Sequence, residues 1–313
     1  DKLGDRGLAK LALKKLSLQK KIGAEKLRKV QSDLAKIVLS KPDLLDSNYD
    51  SFVFTHIEGC ADSTIGSTIA ESAYRSGFSE EQIYIPGELG QDLSTNFGQL
   101  DVAEIEKLRT RDIRIIAEHS PYGVESAYRL DSIKKPFYFT ILREPLDRFL
   151  SHYYSSYYQT QDGFKGIHIW DLLTDRFEAL VANYSNVQIA YISGITGRTK
   201  IIDNSDLQKA KTNLEIRFSC FGIYEKLHSS LTAVERLAPS WLKMLREGDN
   251  LTPKIDPLDG IKDNEKLKLS HEKIQFFLDC NQLDYKLYHF AEQLFDRKFH
   301  SVVEGTSDSK RLE

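Results

Sequence analysis

Cysteine is scarce in this chain of 313 residues, and the three present, Cys60, Cys220 and Cys280, are scattered and lack metal-ligand spacing. An odd, dispersed set excludes a disulfide framework and a zinc site and leaves buried thiols as the expectation. Long apolar runs are missing as well. No stretch approaches the roughly 18 apolar residues of a membrane span, so no span is expected in this chain. No signal peptide is visible, and the chain opens on Asp1. The absent signal peptide and the few cysteines point to the cytoplasm, while the start on Asp1 leaves a Golgi lumenal domain trimmed from an upstream anchor as the alternative. Charge of one sign is not in excess either: 43 Lys and Arg against 46 Asp and Glu leave a net charge of -3, which gives no reason to expect nucleic acid as a partner. There is no internal repeat, no low-complexity tract and no G-x-x-x-x-G-K-[ST], and the last absence argues against a nucleoside-triphosphate kinase.

What remains is an ordinary globular composition, 41% hydrophobic and 28% charged, long enough to bury a substantial core. Residues 1–45 differ from the rest. They are rich in Lys, Leu and Ala, and Leu27, Val30, Leu34 and Ile37 recur at helical spacing until Pro42 closes the segment. This basic helical arm is read as packing on its own domain or on a dimer partner, because it lacks the large aromatics of a membrane-surface helix. Residues 46–300 form the main domain, and 301–313 form a flexible tail.

Across the main domain the pattern alternates between strand and helix, as in a doubly wound sheet. Strands are predicted at Phe52–Ile57, Ile113–Ala117, Phe137–Leu142 and Ser219–Ile223. Helices are predicted at Ser63–Ser76, Ile169–Leu180, Val187–Ser193, Asp206–Arg217 and in runs within Ser270–Phe295. The most informative segment is FYFTILREPLDRFLSHYY, from Phe137 to Tyr154. Its first six residues suit a strand covered on both faces. Arg143 then stands where the sheet ends, and Pro145 suits the first turn of a helix. Leu146, Phe149, Leu150, Tyr153 and Tyr154 make a core-facing stripe, with Arg148, Ser151 and Ser155 on another face. A guanidinium at the carboxyl edge of a parallel sheet, beside a helix N-terminus and hydroxyls, makes an anion site. The plainer alternative is an Arg143 that only pairs with Glu144 or Asp147.

R-E-P-L-D-R-F-L-S-H-Y-Y resembles the 3′-phosphate-binding segment of the carbohydrate sulfotransferases, which use 3′-phosphoadenosine 5′-phosphosulfate (PAPS). Three further stretches agree in order. FVFTHIEGCADSTI, Phe52 to Ile65, is similar to the family's strand and 5′-phosphosulfate loop, written H-I-P-K-x-G-G-T-S; EHSPYG, Glu118 to Gly123, resembles G-H-F-P-Y-G; and FSCFGIYEKLHSSL, Phe218 to Leu231, resembles F-x-x-V-G-L-x-E-x-x-x-x-S-L. The resemblance covers roughly residues 50–295. It implies a three-layer αβα domain with a central parallel sheet, of the P-loop-nucleotide-binding type. It also implies PAPS as co-substrate, no metal, and sulfuryl transfer to a hydroxyl acceptor, most plausibly a saccharide.

The resemblance assigns roles residue by residue. His119 is the candidate base for the acceptor hydroxyl, matched in its unperturbed pKa to proton abstraction near neutrality. Glu118 would orient it or serve as base itself. Arg143 and Ser151 would hold the 3′-phosphate, while Gly59, Cys60, Ala61, Asp62, Ser63 and Thr64 form the 5′-phosphosulfate loop. That loop departs from the pattern. Gly59 stands where the family carries its lysine, Glu58 replaces the preceding proline and Asp62 replaces a glycine. A cation there would stabilise charge on the departing nucleotide, an effect worth ~3 kcal/mol by analogy with single oxyanion donors. Three outcomes follow: another basic group fills the role, the enzyme is slow, or the domain is a descendant that binds nucleotide or glycan without turnover. Ala190 likewise stands where a related helix pattern, N-x-Q-T-R-x-L-S-G, has arginine. His56, inside the first strand's end, is read as a packing residue.

Overall fold

The computed structural model describes residues 48–60, 63–85, 102–117, 120–127, 129–195, 201–244 and 266–304. The basic arm of residues 1–45 and residues 305–313 of the expected tail lie outside them, while residues 301–304 are described as helix. Strand-forming runs of β-branched and aromatic residues, buried on both faces, produce a sheet with five strands among the described residues. They are β1 (Ser51–Thr55), β2 (Ile83–Tyr84), β3 (Ile115–Ile116), β4 (Pro136–Leu142) and β5 (Cys220–Ile223), in the order β2-β3-β1-β4-β5. Every pairing is parallel. The α/β fold expected from the sequence is therefore present, with one strand, β2, that two residues were too few to announce.

The centre of the sheet is the β1–β4 pair, which runs in register from Ser51↔Pro136 to Thr55↔Thr140. Parallel register puts paired residues on the same face, so Phe52 stacks on Phe137 at 5.4 Å and Phe54 on Phe139 at 5.3 Å between centroids. These rings are buried and form the middle of the core. His56 stacks on Phe54 and is buried, in keeping with its packing role.

Helices surround the sheet. They are α1 (Ser63–Arg75), α2 (Val102–Arg109), α3 (Val124–Ala127), α4 (Pro145–His152), α5 (Thr174–Asn183), α6 (Val187–Ser193), α7 (Asn204–Thr212), α8 (Leu227–Leu237), α9 (His271–Cys280) and α10 (Gln282–Glu304). Two differences from the sequence reading have local causes. The helix predicted over Ile169–Leu180 is a single 3-10 turn at Ile169–Asp171, followed by α5, because Leu172 and Leu173 are extended. The helix predicted over Asp206–Arg217 starts earlier, where Asp203 accepts from the amides of Ser205 and Asp206, and ends in a π turn at Asn213–Arg217. A second π turn, Tyr153–Tyr157, extends α4.

The chain crosses from one side of the sheet to the other between β1 and β4. From β1 it runs outward through α1 to β2 and β3 on one side, then returns to β4 on the other. That crossing is a topological switch point, and the crevice beyond the carboxyl ends of the two strands is where this class of fold takes ligands.

The short helix α6 is anchored from α10. Asn186 adopts a left-handed conformation, φ 52°, and its amide donates to Asn281 Oδ1 at 3.1 Å, while its own Oδ1 accepts from the Asp284 amide at 3.0 Å. Asp284 accepts from the amides of Gln188 at 3.1 Å and Ile189 at 3.0 Å, which caps α6. This carboxyl is fully buried, and burial pushes its pKa up to about 6, against the lowering effects of Arg148 and the capped amides. Because the folded value lies above the ordinary 3.8, the stability that Asp284 contributes is complete below that pH and is lost as pH rises through about 6. The gap of about two pH units corresponds to on the order of 3 kcal/mol. Denaturant unfolding of the parent and of Asp284→Asn at several pH values between 4 and 7 should show the parent losing stability relative to the variant. Parallel pH profiles would refute the assignment.

Candidate active site

Two loops leave the sheet side by side at the switch point. Thr140 Oγ1 donates to Thr55 O at 2.7 Å, tying the carboxyl ends of β1 and β4 together. From β1 the chain turns tightly, with Cys60 N donating to Ile57 O at 3.0 Å, and α1 begins at Ser63. From β4 it passes Arg143 into α4, whose N-terminus is capped by the Glu144 side chain accepting from Asp147 N at 2.7 Å.

Gly59 is where the first loop meets α4. Its φ is +78°, in the left-handed region that disfavours a side chain, and a Cβ built on it would lie 2.3 Å from Arg148 O and 3.1 Å from His152 N. Only glycine fits. The preceding Glu58 is buried and set against His152, with Oε2 3.6 Å from the imidazole Nε2. Arg148, completely buried, donates from Nη1 to Glu58 O at 3.2 Å and from Nη2 to Tyr184 O at 3.1 Å. Thus the face of α4 carrying Arg148 and Ser151 is as buried as its apolar stripe, while Ser155 is exposed.

Arg143 reaches across to the same loop. Its Nη1 donates to Gly59 O at 3.3 Å, and its guanidinium lies over the Tyr224 ring with Cζ 3.9 Å from the centroid. Glu225, next along, accepts from Glu144 N at 2.9 Å and from Tyr288 Oη at 2.9 Å. Burial raises the Glu225 pKa, against the lowering effect of those hydrogen bonds and of Arg143. Lys266 sits 2.9 Å from Asp147 and 3.6 Å from Glu144. Arg143 therefore does more than pair with its neighbours in sequence: it spans the crevice to the β1–α1 loop.

The main chain of Arg143 is held from α6. Gln188 Oε1 accepts from Arg143 N at 3.0 Å, and its Nε2 donates to Arg143 O at 2.9 Å. The same Oε1 accepts from Cys60 Sγ at 3.5 Å. Cys60 is fully buried, and burial pushes its thiol well above the ordinary range. Its amide is used inside the turn and its thiol on Gln188, so Cys60 serves the loop's shape.

The structure brings Arg143, Gly59, Cys60 and the start of α1 at Ser63 and Thr64 to one edge, and it buries Ser151 between the two α4 residues that Gly59 touches. Ala61, Asp62, Glu118 and His119 lie outside the described residues. Their flanks are placed: Ala117 N donates to Tyr84 O at 3.0 Å, and Ser120 Oγ donates to Phe54 O at 3.4 Å, both in the carboxyl half of the sheet. Sequence reasoning missed Gln188, Arg148 and Tyr224. The family-like spacing N-x-Q around Asn186 was the one signal that could have found Gln188. Among the described residues no cluster of three or more His, Cys, Asp or Glu is placed to hold a metal ion, and no helix is long and apolar enough to cross a membrane.

A protein-family model described as the sulfotransferase family matches residues 42–291. The chain belongs to the sulfotransferase family. Among curated proteins, uronyl 2-sulfotransferase of Homo sapiens is 26% identical over 191 residues, covering 53% of this chain and 45% of the relative. Uronyl 2-sulfotransferase of Mus musculus is 26% identical over 187 residues, covering 51% and 43%. The match thus spans less than half the length of these relatives.

The backbone at Gly59 is pressed against α4 and admits no side chain. Gly59→Ala should lower the unfolding free energy by more than about 2 kcal/mol, from the left-handed φ and the backbone contact together. Equilibrium denaturation measures it, and a parent-like midpoint would show that the loop is not seated as described.

Proposed function

We propose that this sulfotransferase-family chain transfers a sulfuryl group from PAPS to a hydroxyl, most plausibly on a saccharide. The observation that carries the proposal is the Arg143 guanidinium at the switch-point crevice, 3.3 Å from the carbonyl of Gly59 in the loop that leads into α1. The residues present suit a ligand with two separate anionic groups. Arg143, with Ser151 behind it on α4, would hold the 3′-phosphate. The backbone of residues 61–64 and the N-terminus of α1 would hold the 5′-phosphosulfate, since helix N-terminal amides and the helix dipole favour anions. PAPS supplies the activated sulfuryl group. His119 would take the proton from the acceptor hydroxyl, and Glu118 would orient the imidazole or act as base itself. A saccharide acceptor is supported by the carbohydrate-type motifs and by the names of the two relatives, both uronyl 2-sulfotransferases. Charge neutralisation by Arg143 and the helix dipole needs no metal.

A second reading has its own observation. The loop that carries a lysine in the family pattern holds Gly59 against Arg148 O, with no room for a side chain. On that reading the domain binds nucleotide or glycan without turnover. Calorimetry with 3′,5′-ADP, run beside a radiolabelled sulfate-transfer assay, separates the two: transfer supports the enzyme, and tight binding without transfer to any acceptor supports the descendant.

Arg143→Ala should weaken 3′,5′-ADP binding by the ~1.5 to 3 kcal/mol of a charge-assisted hydrogen bond. Parent-like affinity would remove Arg143 from the site. His119→Ala should leave that affinity unchanged and reduce turnover by about 10²- to 10⁴-fold, as for loss of a general base. Parent-like turnover in steady-state assays would discard His119 as the base.

A further inference from the structure

Gln188 is fully buried, and its side-chain amide is committed to the Arg143 main chain and to the Cys60 thiol across the crevice. Its carbonyl and amino groups meet the Arg143 N–H and C=O at 3.0 and 2.9 Å, a reciprocal pair that fixes which end of the amide is which. Its carbonyl also receives the Cys60 thiol from the β1–α1 loop at 3.5 Å. Its own N–H is held by Asp284 at 3.1 Å, so the side chain projects from a helix that α10 anchors. One residue therefore joins the end of β4, the β1–α1 loop and the helical layer. A guanidinium is useful to a phosphate only if its root is fixed, because an ångström of drift forfeits a bidentate contact.

We infer that Gln188 is a positioning residue for the donor nucleotide: it fixes the backbone of Arg143 relative to the β1–α1 loop and so sets the guanidinium where a 3′-phosphate is recognised. This rests on the donor-site reading above. It adds to that reading a residue that would not itself touch the ligand.

The consequence is selective. Losing Gln188 should erase the preference for a nucleotide bearing a 3′-phosphate more than it weakens nucleotide binding in general. Gln188→Glu gives a reversible version of that loss. A protonated carboxyl can accept from Arg143 N and donate to Arg143 O as the amide does, whereas a carboxylate has no proton to donate. The charged and titratable groups around the position are Arg143 at the end of β4, Arg148 on α4, Cys60 in the β1–α1 loop, Asp284 on α10 and Glu225 before α8, with Glu58 and His152 beyond Gly59. Asp284 opposes ionisation of the new carboxyl, and the two arginines favour it.

The test is calorimetric titration with 3′,5′-ADP and with 5′-AMP, at pH 5 and pH 8, on the parent, Gln188→Glu and Gln188→Met, each checked for folding by circular dichroism and thermal melting. The parent should prefer 3′,5′-ADP at both pH values. Gln188→Met should lose about tenfold to a hundredfold of that preference at both, the range expected when a charge-assisted contact is misplaced. Gln188→Glu should behave like the parent at pH 5 and like Gln188→Met at pH 8, each compared with the parent at the same pH. A folded Gln188→Met with the parent's preference, or a Gln188→Glu that weakens both nucleotides equally at both pH values, overturns the inference and leaves the donor site standing. A parent that does not distinguish the two nucleotides overturns the donor-site reading, and the inference with it. Should Gln188→Met fail to fold, the pH dependence of Gln188→Glu decides alone.

Discussion

The in-register parallel pairing of β1 with β4 is the constraint from which the site follows. Thr55, the last residue of β1, pairs with Thr140, two residues before β4 ends, and the Thr140 hydroxyl closes on Thr55 O at 2.7 Å. Adjacent strands that end within two residues of each other release their chains side by side at the sheet edge. Because α1 heads for one side of the sheet and α4 for the other, the short segments between strand and helix face a common crevice. Gly59 and Arg143 are each within four residues of a strand end, and this is why a guanidinium from one loop can bond a carbonyl of the other.

Two arginines then decide the loop's shape. Placing a guanidinium away from water costs several kcal/mol unless carbonyls, rings or opposite charge take the place of solvent. Arg148 donates to Glu58 O and Tyr184 O, and Arg143 meets Gly59 O, the Tyr224 face and the nearby Glu225. Carbonyls of two consecutive residues, Glu58 and Gly59, are thus drawn toward different guanidiniums. A backbone that turns in this way at a left-handed residue, with α4 directly against it, requires glycine. The loop's conformation is a result of buried charge as much as of turn propensity.

This explains how far the sequence could be read. Phe137–Leu142 is legible as a strand because seven-residue β4 is apolar throughout, and Pro145 marks the start of α4 because its fixed φ suits a first turn. Arg143 is legible because it falls at the junction of the two. β2 is not, since two residues carry no period and are held by β3 alone. The break before α5 and the two π turns depend on packing rather than on local pattern. The burial of Arg148 is not legible, because helical spacing puts it on another face than the stripe without saying what covers that face. Gln188 was hidden for a similar reason: a lone glutamine in an apolar helix has no period, and its partners lie 45 and 128 residues away.

The same geometry bears on the charge available at this edge. Position 59 is closed by Arg148 O, so no side chain can bring charge from it, and Glu58 is turned onto His152. Arg148 is close by, yet both ends of its guanidinium are committed to carbonyls, so moving it would expose the Glu58 and Tyr184 oxygens to the interior without partners. Arg143 differs in its setting: it meets Gly59 O and the Tyr224 face with Glu225 nearby, and it keeps 6% exposure where Arg148 has none. Of the two guanidiniums it is the one at the edge of the crevice. On the proposed donor-site reading, ligand charge would fall on one arginine whose root is fixed by an amide and on the amides at the start of α1, so precision of placement would have to do what a second cation could otherwise do.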